Sequence, residues 1–159
     1  MKEIEIRLRY REILEKVLVH NATLCYMNKM KKEENRIPVL SNDNTEMILH
    51  LVKDASAKVL APLTKMIARV ERSPTVNENS VDVYTLNVPD SFTEGMQWEL
   101  QETAEGNTAM EILGLTLRII DPEAAEFYTS HVTECMEAEA DKIQRSGLKF
   151  GEYRLKAWW

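Results

Sequence analysis

Cysteine, histidine and glycine are scarce in this chain, which has two, three and five of them in 159 residues. Cys25 and Cys135 lie far apart without C-x-x-C spacing, which favours buried thiols over a disulfide. The few glycines form no phosphate-binding loop or dinucleotide turn, and there is no G-x-S-x-G nucleophile motif. We therefore expect no cofactor and no catalytic residues of these types.

The remaining candidates for metal or acid–base chemistry are weak. His20, His50 and His131 fall in three different predicted helices, and none has the Glu-x-x-His spacing of di-iron helical bundles. A metal site assembled from these three histidines is the minor alternative. The acidic run "ECMEAEAD" places carboxylates near one face of a helix, where a solvated face is commoner than a cation site. We predict no metal site and no enzymatic activity.

Long hydrophobic runs are also missing. The most apolar segment, "ILGLTLRII", is shorter than the roughly 18 residues of a membrane span and contains Arg118. The first ten residues, "MKEIEIRLRY", alternate charged and apolar residues, unlike the continuous apolar core of a signal peptide. We expect a cytoplasmic protein without membrane contact.

Charge is distributed unevenly along the chain. Residues 1–36 and 147–159 carry net charges of +3 and +2, whereas residues 37–146 carry −11. The acidic body argues against nucleic-acid binding, which depends on basic surface. Basic ends and an acidic middle suit contact between copies, although solvated charge is the commoner explanation.

Apolar spacing predicts a mainly α fold with one domain over residues 1–148. We expect an antiparallel bundle of about four helices, over residues 4–32, 44–72, 91–120 and 122–145. The first turns of the first helix also alternate like a strand, and Pro62 predicts a kink or break in the second. Gly106 is a soft spot in the third helix, which we expect to continue through it. Asp121, Pro122 and Gly147 delimit the fourth.

The segment "VDVYTLNV" alternates as a strand and ends at Pro89, so we expect one isolated strand or short hairpin between helices 2 and 3. Its apolar side chains lie on both faces, as in a strand covered on two sides. It pairs either with "EIEIRLRY" or with another copy of the chain, and we favour the second. The predicted interface residues here are Val81, Val83, Tyr84, Leu86 and Val88.

Residues 149–159 form an aromatic and basic tail that we expect to pack on the chain's own core or on a neighbouring subunit. Aromatic residues and arginine are frequent anchors of protein interfaces. The predicted interface residues in the tail are Phe150, Tyr153, Arg154, Trp158 and Trp159.

The order and spacing of "EIEIRLRYREILEKV", "VYTLNVPDSF" and "DPEAAEFYTSHV" resemble small structural proteins encoded in head–tail connector and tail-assembly regions of tailed phages and prophages. Gly106 and the terminal pair of tryptophans do not map onto that pattern. The resemblance implies a non-enzymatic virion component, assembled in the cytoplasm of a bacterial host. Its implied partners are copies of itself, in a homo-oligomer or ring, and other virion proteins, with no small-molecule substrate.

An intracellular adaptor or regulatory bundle is the alternative function. It would bind one protein partner through the C-terminal aromatic tail. Deletion of residues 149–159 distinguishes the two, because loss of self-association with the fold intact favours the assembly protein.

Overall fold

The computed structural model describes residues 1–31 and 37–148. Within these ranges the chain forms four α-helices, a three-stranded antiparallel sheet and two short 3-10 turns. In chain order the main elements are β1 (Lys2–Arg9), α1 (Tyr10–Lys31), α2 (Thr45–Val59), β2 (Ile67–Glu71), β3 (Val81–Val88), α3 (Glu94–Leu117) and α4 (Pro122–Ser146). The predicted mainly α fold is confirmed. None of the described helices is both long enough and apolar enough to cross a membrane.

The sheet has the order β1-β3-β2, so β3 is its central strand. β1 pairs with β3 from Lys2↔Val88 to Arg9↔Val81, and β2 pairs with the other edge of β3. Of the predicted isolated strand or short hairpin, the isolated strand is wrong, because β2 and β3 form a hairpin between α2 and α3 and β1 completes the sheet. The favoured pairing of "VDVYTLNV" with another copy is also wrong, because "EIEIRLRY" and β2 occupy both edges of β3 within the chain.

The second predicted helix extended too far along the chain. Its last residue is Val59, and Pro62 lies in a separate 3-10 turn, Ala61–Leu63. Proline lacks the N–H that a continuing helix would use and crowds the preceding turn. The chain therefore leaves the helix before Ile67–Glu71, which forms β2 and contains a bulge between Ile67 and Arg69.

One face of the sheet packs into the hydrophobic core, and the other faces solvent. The buried side chains of β1 are Ile4, Ile6 and Leu8, and those of β3 include Tyr84, Leu86 and Val88. They form one cluster with apolar side chains of all four helices, among them Ile13, Val17, Ile48, Val52, Leu100, Ile112, Val132 and Met136. Alternation with a period of two explains why residues 2–9 form a strand, because it places all their apolar side chains on the core face.

α4 matches its predicted extent to within one residue, whereas α3 is three residues shorter than predicted at each end. α3 runs through Gly106 without a break, as predicted, and its N-cap is Thr93, whose hydroxyl accepts from the Met96 N–H at 3.3 Å. Asp121 caps α4, as predicted, by accepting from the Ala124 N–H at 3.0 Å. The capping residues Thr93 and Asp121 mark where these two helices begin, and Gly147 marks where α4 ends.

Asp82 is a buried carboxylate on the core face of β3, where the alternation would place an apolar residue. Its Oδ2 accepts a hydrogen bond from the Tyr10 hydroxyl at 3.1 Å, and its Oδ1 accepts from the Ser73 N–H at 2.8 Å. Asp82 therefore connects the start of α1 with the segment that joins β2 to β3.

The Tyr10→Phe variant tests this connection through pH. Burial, and then the charge of Asp82, raise the pKa of Tyr10 above its ordinary value of 10.0. The folded state then holds the proton more tightly, so this stabilisation is present below about pH 10 and is lost as pH rises above it. From about pH 9.5 to about pH 11.5 we expect the free energy of unfolding to fall more steeply for the wild type than for Tyr10→Phe.

Urea unfolding at each pH measures this difference. Tyr26→Phe, which removes an exposed hydroxyl, is the matched control and should keep the wild-type slope. Equal slopes for the wild type and Tyr10→Phe would contradict the assignment.

Candidate interaction surface

The two outer edges of the sheet are treated differently by the fold. Helix α3 lies along the outer edge of β1 and satisfies its backbone with three side chains spaced four residues apart. The bonds run from Gln97 Nε2 to the Glu5 carbonyl oxygen (2.7 Å), from the Arg7 N–H to Gln101 Oε1 (3.2 Å) and from the Arg9 N–H to Glu105 Oε1 (3.0 Å). A four-residue spacing puts these side chains on one face of the helix. The β1 edge is therefore closed to further strands.

An ion pair between half-buried Arg9 and buried Glu105 anchors the covered edge. Glu105 is fully buried, and both its carboxylate oxygens accept from the Arg9 guanidinium at 2.8 Å. Arg9 also contacts Glu102 at 3.2 Å, and Lys16 of α1 lies 3.2 Å from the same Glu102. The hydrogen bond to Glu105 raises the pKa of Arg9 above its ordinary value. This pairing stabilises a carboxylate that would be costly to bury alone.

Sequence reasoning missed this arrangement, although part of the signal was visible. Gln97, Gln101 and Glu105 lie on one face of α3, and the last of them is buried. Polar residues on such a face need partners, but the sequence does not show that the partner is the β1 backbone.

The outer edge of β2 has no such cover from the described residues. β2 pairs with β3 alone within the described chain, and its residues 68–71 are all exposed. Val70 is 41% exposed, although it lies opposite the buried Tyr84 on the core face of the sheet. An uncovered edge presents free backbone donors and acceptors to another strand.

The direction of the free groups on β2 follows from the alternation of an antiparallel sheet. The backbone groups of Glu5 and Arg7 point away from β3, so their partners Thr85 and Val83 direct their backbone towards β2. Their partners on β2 are Glu71 and Arg69. Val70, between these two, therefore directs its N–H and C=O outward.

The interface residues predicted on β3 lie mainly inside the chain. Tyr84, Leu86 and Val88 are buried in the core, Val83 is half-buried, and Val81 is the only one of the five that is exposed. The five predicted tail residues, Phe150, Tyr153, Arg154, Trp158 and Trp159, lie outside the described residues. Of the predicted surface, the described part thus leaves Val81 most accessible.

A second exposed apolar surface lies at the turn between α3 and α4. Ile119 is 94% exposed, Ile120 adjoins it, and Phe127 of α4 is 67% exposed. The Phe127 ring stacks on His131 with the ring centroids 6.2 Å apart. Large exposed apolar side chains such as these are candidates for contacts with other proteins.

The histidines and the acidic run do not converge on a reactive centre. His50 lies 4.0 Å from Glu46, and His131 lies beside Phe127 and the Cys135 thiol. In the part of the chain that the structure describes, no group of three or more His, Cys, Asp or Glu side chains has the geometry of a metal site. Glu134, Glu137 and Asp141 are exposed on α4.

A cleft of about 320 Å³ lies between α2, α3 and α4. Buried Glu111 in its wall pairs with Lys58 at 2.5 Å and so links α3 to α2. Arg118 and Glu126 line it as well, and its described lining includes no histidine, cysteine or serine.

Comparison of the chain with protein-family models, with curated proteins and with solved structures found no match.

Replacing Arg9 tests the cover of the β1 edge. Arg9→Ala leaves the buried Glu105 carboxylate without its principal partner, and we expect the free energy of unfolding to fall by about 2–4 kcal/mol. Arg7→Ala is the matched control, because Arg7 lies two residues away in an exposed ion pair with Glu5. We expect that change to cost less than about 1 kcal/mol.

Chemical denaturation of both variants measures the difference. Equal losses of stability in Arg9→Ala and Arg7→Ala would show that the Glu105 pair does not stabilise the edge.

Proposed function

We propose that this chain is a non-enzymatic structural protein that acts through self-association and contacts with other proteins. In this proposal its helices form an antiparallel bundle that carries the sheet and presents the open edge of β2 to a partner. Its class is that of head–tail connector or tail-assembly components of tailed phages and prophages. It would assemble in the cytoplasm of a bacterial host and become part of the virion.

The single observation that carries self-association is the difference between the two sheet edges. α3 closes the β1 edge with three side chains, whereas β2 leaves the Val70 backbone directed outward. Addition of a strand from a partner supplies hydrogen bonds to such an edge without any change of fold. The exposed apolar turn, Ile119 and Ile120 with Phe127, provides a separate surface for other partners.

The phage or prophage assignment comes from the layout of the sequence. The three segments that carry the resemblance correspond in the structure to β1 with the first part of α1, to most of β3 with the turn before α3, and to the start of α4. A virion component needs protein contacts and no substrate site. The open edge and the apolar turn are compatible with that requirement.

Light scattering coupled to size-exclusion chromatography tests self-association, over loading concentrations from about 10 μM to about 1 mM because a short strand edge binds weakly. We expect the wild-type mass to rise with concentration. Val70→Pro removes the outward N–H without removing a bond to β3, so it should remain monomeric. Val70→Thr keeps the N–H and should associate like the wild type.

Circular dichroism and thermal unfolding verify that both variants fold. A wild type that stays monomeric at every concentration would overturn self-association. A wild type that associates equally well with Val70→Pro would overturn the role of the β2 edge.

A further inference from the structure

We propose that the open edge of β2 pairs with β2 of a second copy, antiparallel and in one register, with a two-fold axis at Val70. This inference rests on the proposed self-association and names its partner and geometry. The two copies would then share a continuous six-stranded sheet, ordered β1-β3-β2-β2-β3-β1.

The hydrogen-bonding groups of β2 are compatible with this register. Only residues with an outward backbone can bond to a second strand, and Val70, which lies between the two β3-bonded residues Arg69 and Glu71, is such a residue. In the two-fold pair, each Val70 N–H donates to the Val70 C=O of the other copy, which is the closely spaced pair of an antiparallel ladder. The two Val70 residues at the axis therefore satisfy two N–H donors and two C=O acceptors.

The charges of β2 are self-complementary about the same residue. Arg69 and Glu71 flank Val70 on the solvent face of the sheet, opposite Thr85 and Val83, and contact each other at 3.0 Å. Two-fold pairing at Val70 places each Arg69 directly opposite Glu71 of the second copy. Opposite charges facing each other across strands stabilise the pair.

Neighbouring registers are disfavoured by the same two side chains. Shifting the axis to Arg69 places two arginines opposite each other, and shifting it to Glu71 places two glutamates opposite each other. Like charges directly opposite are destabilising. The other face supports the centred register too, because it brings the half-exposed Val70 side chains of the two copies together.

A short edge strand with a bulge and charged side chains is also how proteins keep an edge unpaired. β2 has all three features. The two explanations differ in what they require of the charges. An edge that is merely protected needs charged side chains of either sign. A two-fold pair needs opposite charges at equal distances on the two sides of the axis.

A charge-swap experiment separates the explanations. Arg69→Glu gives a chain with two glutamates flanking Val70, and Glu71→Arg gives one with two arginines. We expect self-association of each single variant to weaken at least about tenfold, because two opposed pairs become repulsive. An equimolar mixture of the two should associate as heterodimers, and the double variant Arg69→Glu/Glu71→Arg should regain wild-type self-association. Sedimentation velocity, with one chain fluorescently labelled, measures each affinity.

The pair Glu5 and Arg7 provides the matched control. It has the same residue types at the same spacing, 3.2 Å apart, on the solvent face of β1, whose edge α3 covers. Arg7→Glu, Glu5→Arg and their mixture should all associate like the wild type.

The outcomes distinguish this inference from the function on which it rests. If the wild type does not associate, self-association fails and the register with it. If the wild type associates and Val70→Pro abolishes association, but the mixture of charge variants does not recover it, the β2 edge stands and the two-fold register is wrong. If association recovers both in the mixture and in the double variant, the register is correct.

Discussion

Each backbone N–H and C=O along a strand requires a hydrogen-bond partner, and this requirement organises the sheet and the helices around it. The central strand β3 has both of its edges paired within the chain. β1 then becomes an edge itself, and α3 supplies the missing partners through Gln97, Gln101 and Glu105. Burial of Glu105 in turn requires Arg9, so one backbone constraint fixes the position of α3 and an ion pair beneath it.

On the other side of the sheet, residues 68–71 of β2 are exposed to solvent. β2 has no helix along its outer edge within the described chain, and Val70, between Arg69 and Glu71, directs its backbone outward. The buried Asp82 stabilises the start of α1 and the segment after β2, so the hairpin is held in place from inside the fold. A firmly held strand with a free edge is suited to bind another strand with little loss of conformational freedom.

Local signals made part of this fold predictable from the sequence. Asp121, Pro122 and Gly147 delimited α4, and the spacing of apolar residues carried α3 through Gly106. β2 was difficult to recognise in the sequence, because Met66, Ile67 and Val70 continue the apolar stripe of α2. Pro62 was the one local signal that the helix ends before these residues. The β1–β3 pairing joins residues about eighty positions apart, and the open edge follows only from that pairing. The candidate interaction surface was therefore outside what local patterns reveal.

Hydrogen exchange of single backbone amides, followed by NMR at low and high protein concentration, tests the central claim most directly. Arg7 and Arg9 direct their N–H groups into α3, so their exchange should be slow at every concentration. The Val70 N–H should exchange rapidly in the dilute protein and become protected as the concentration rises. Rapid exchange at Arg9, or a Val70 amide whose exchange does not depend on concentration, would contradict this account.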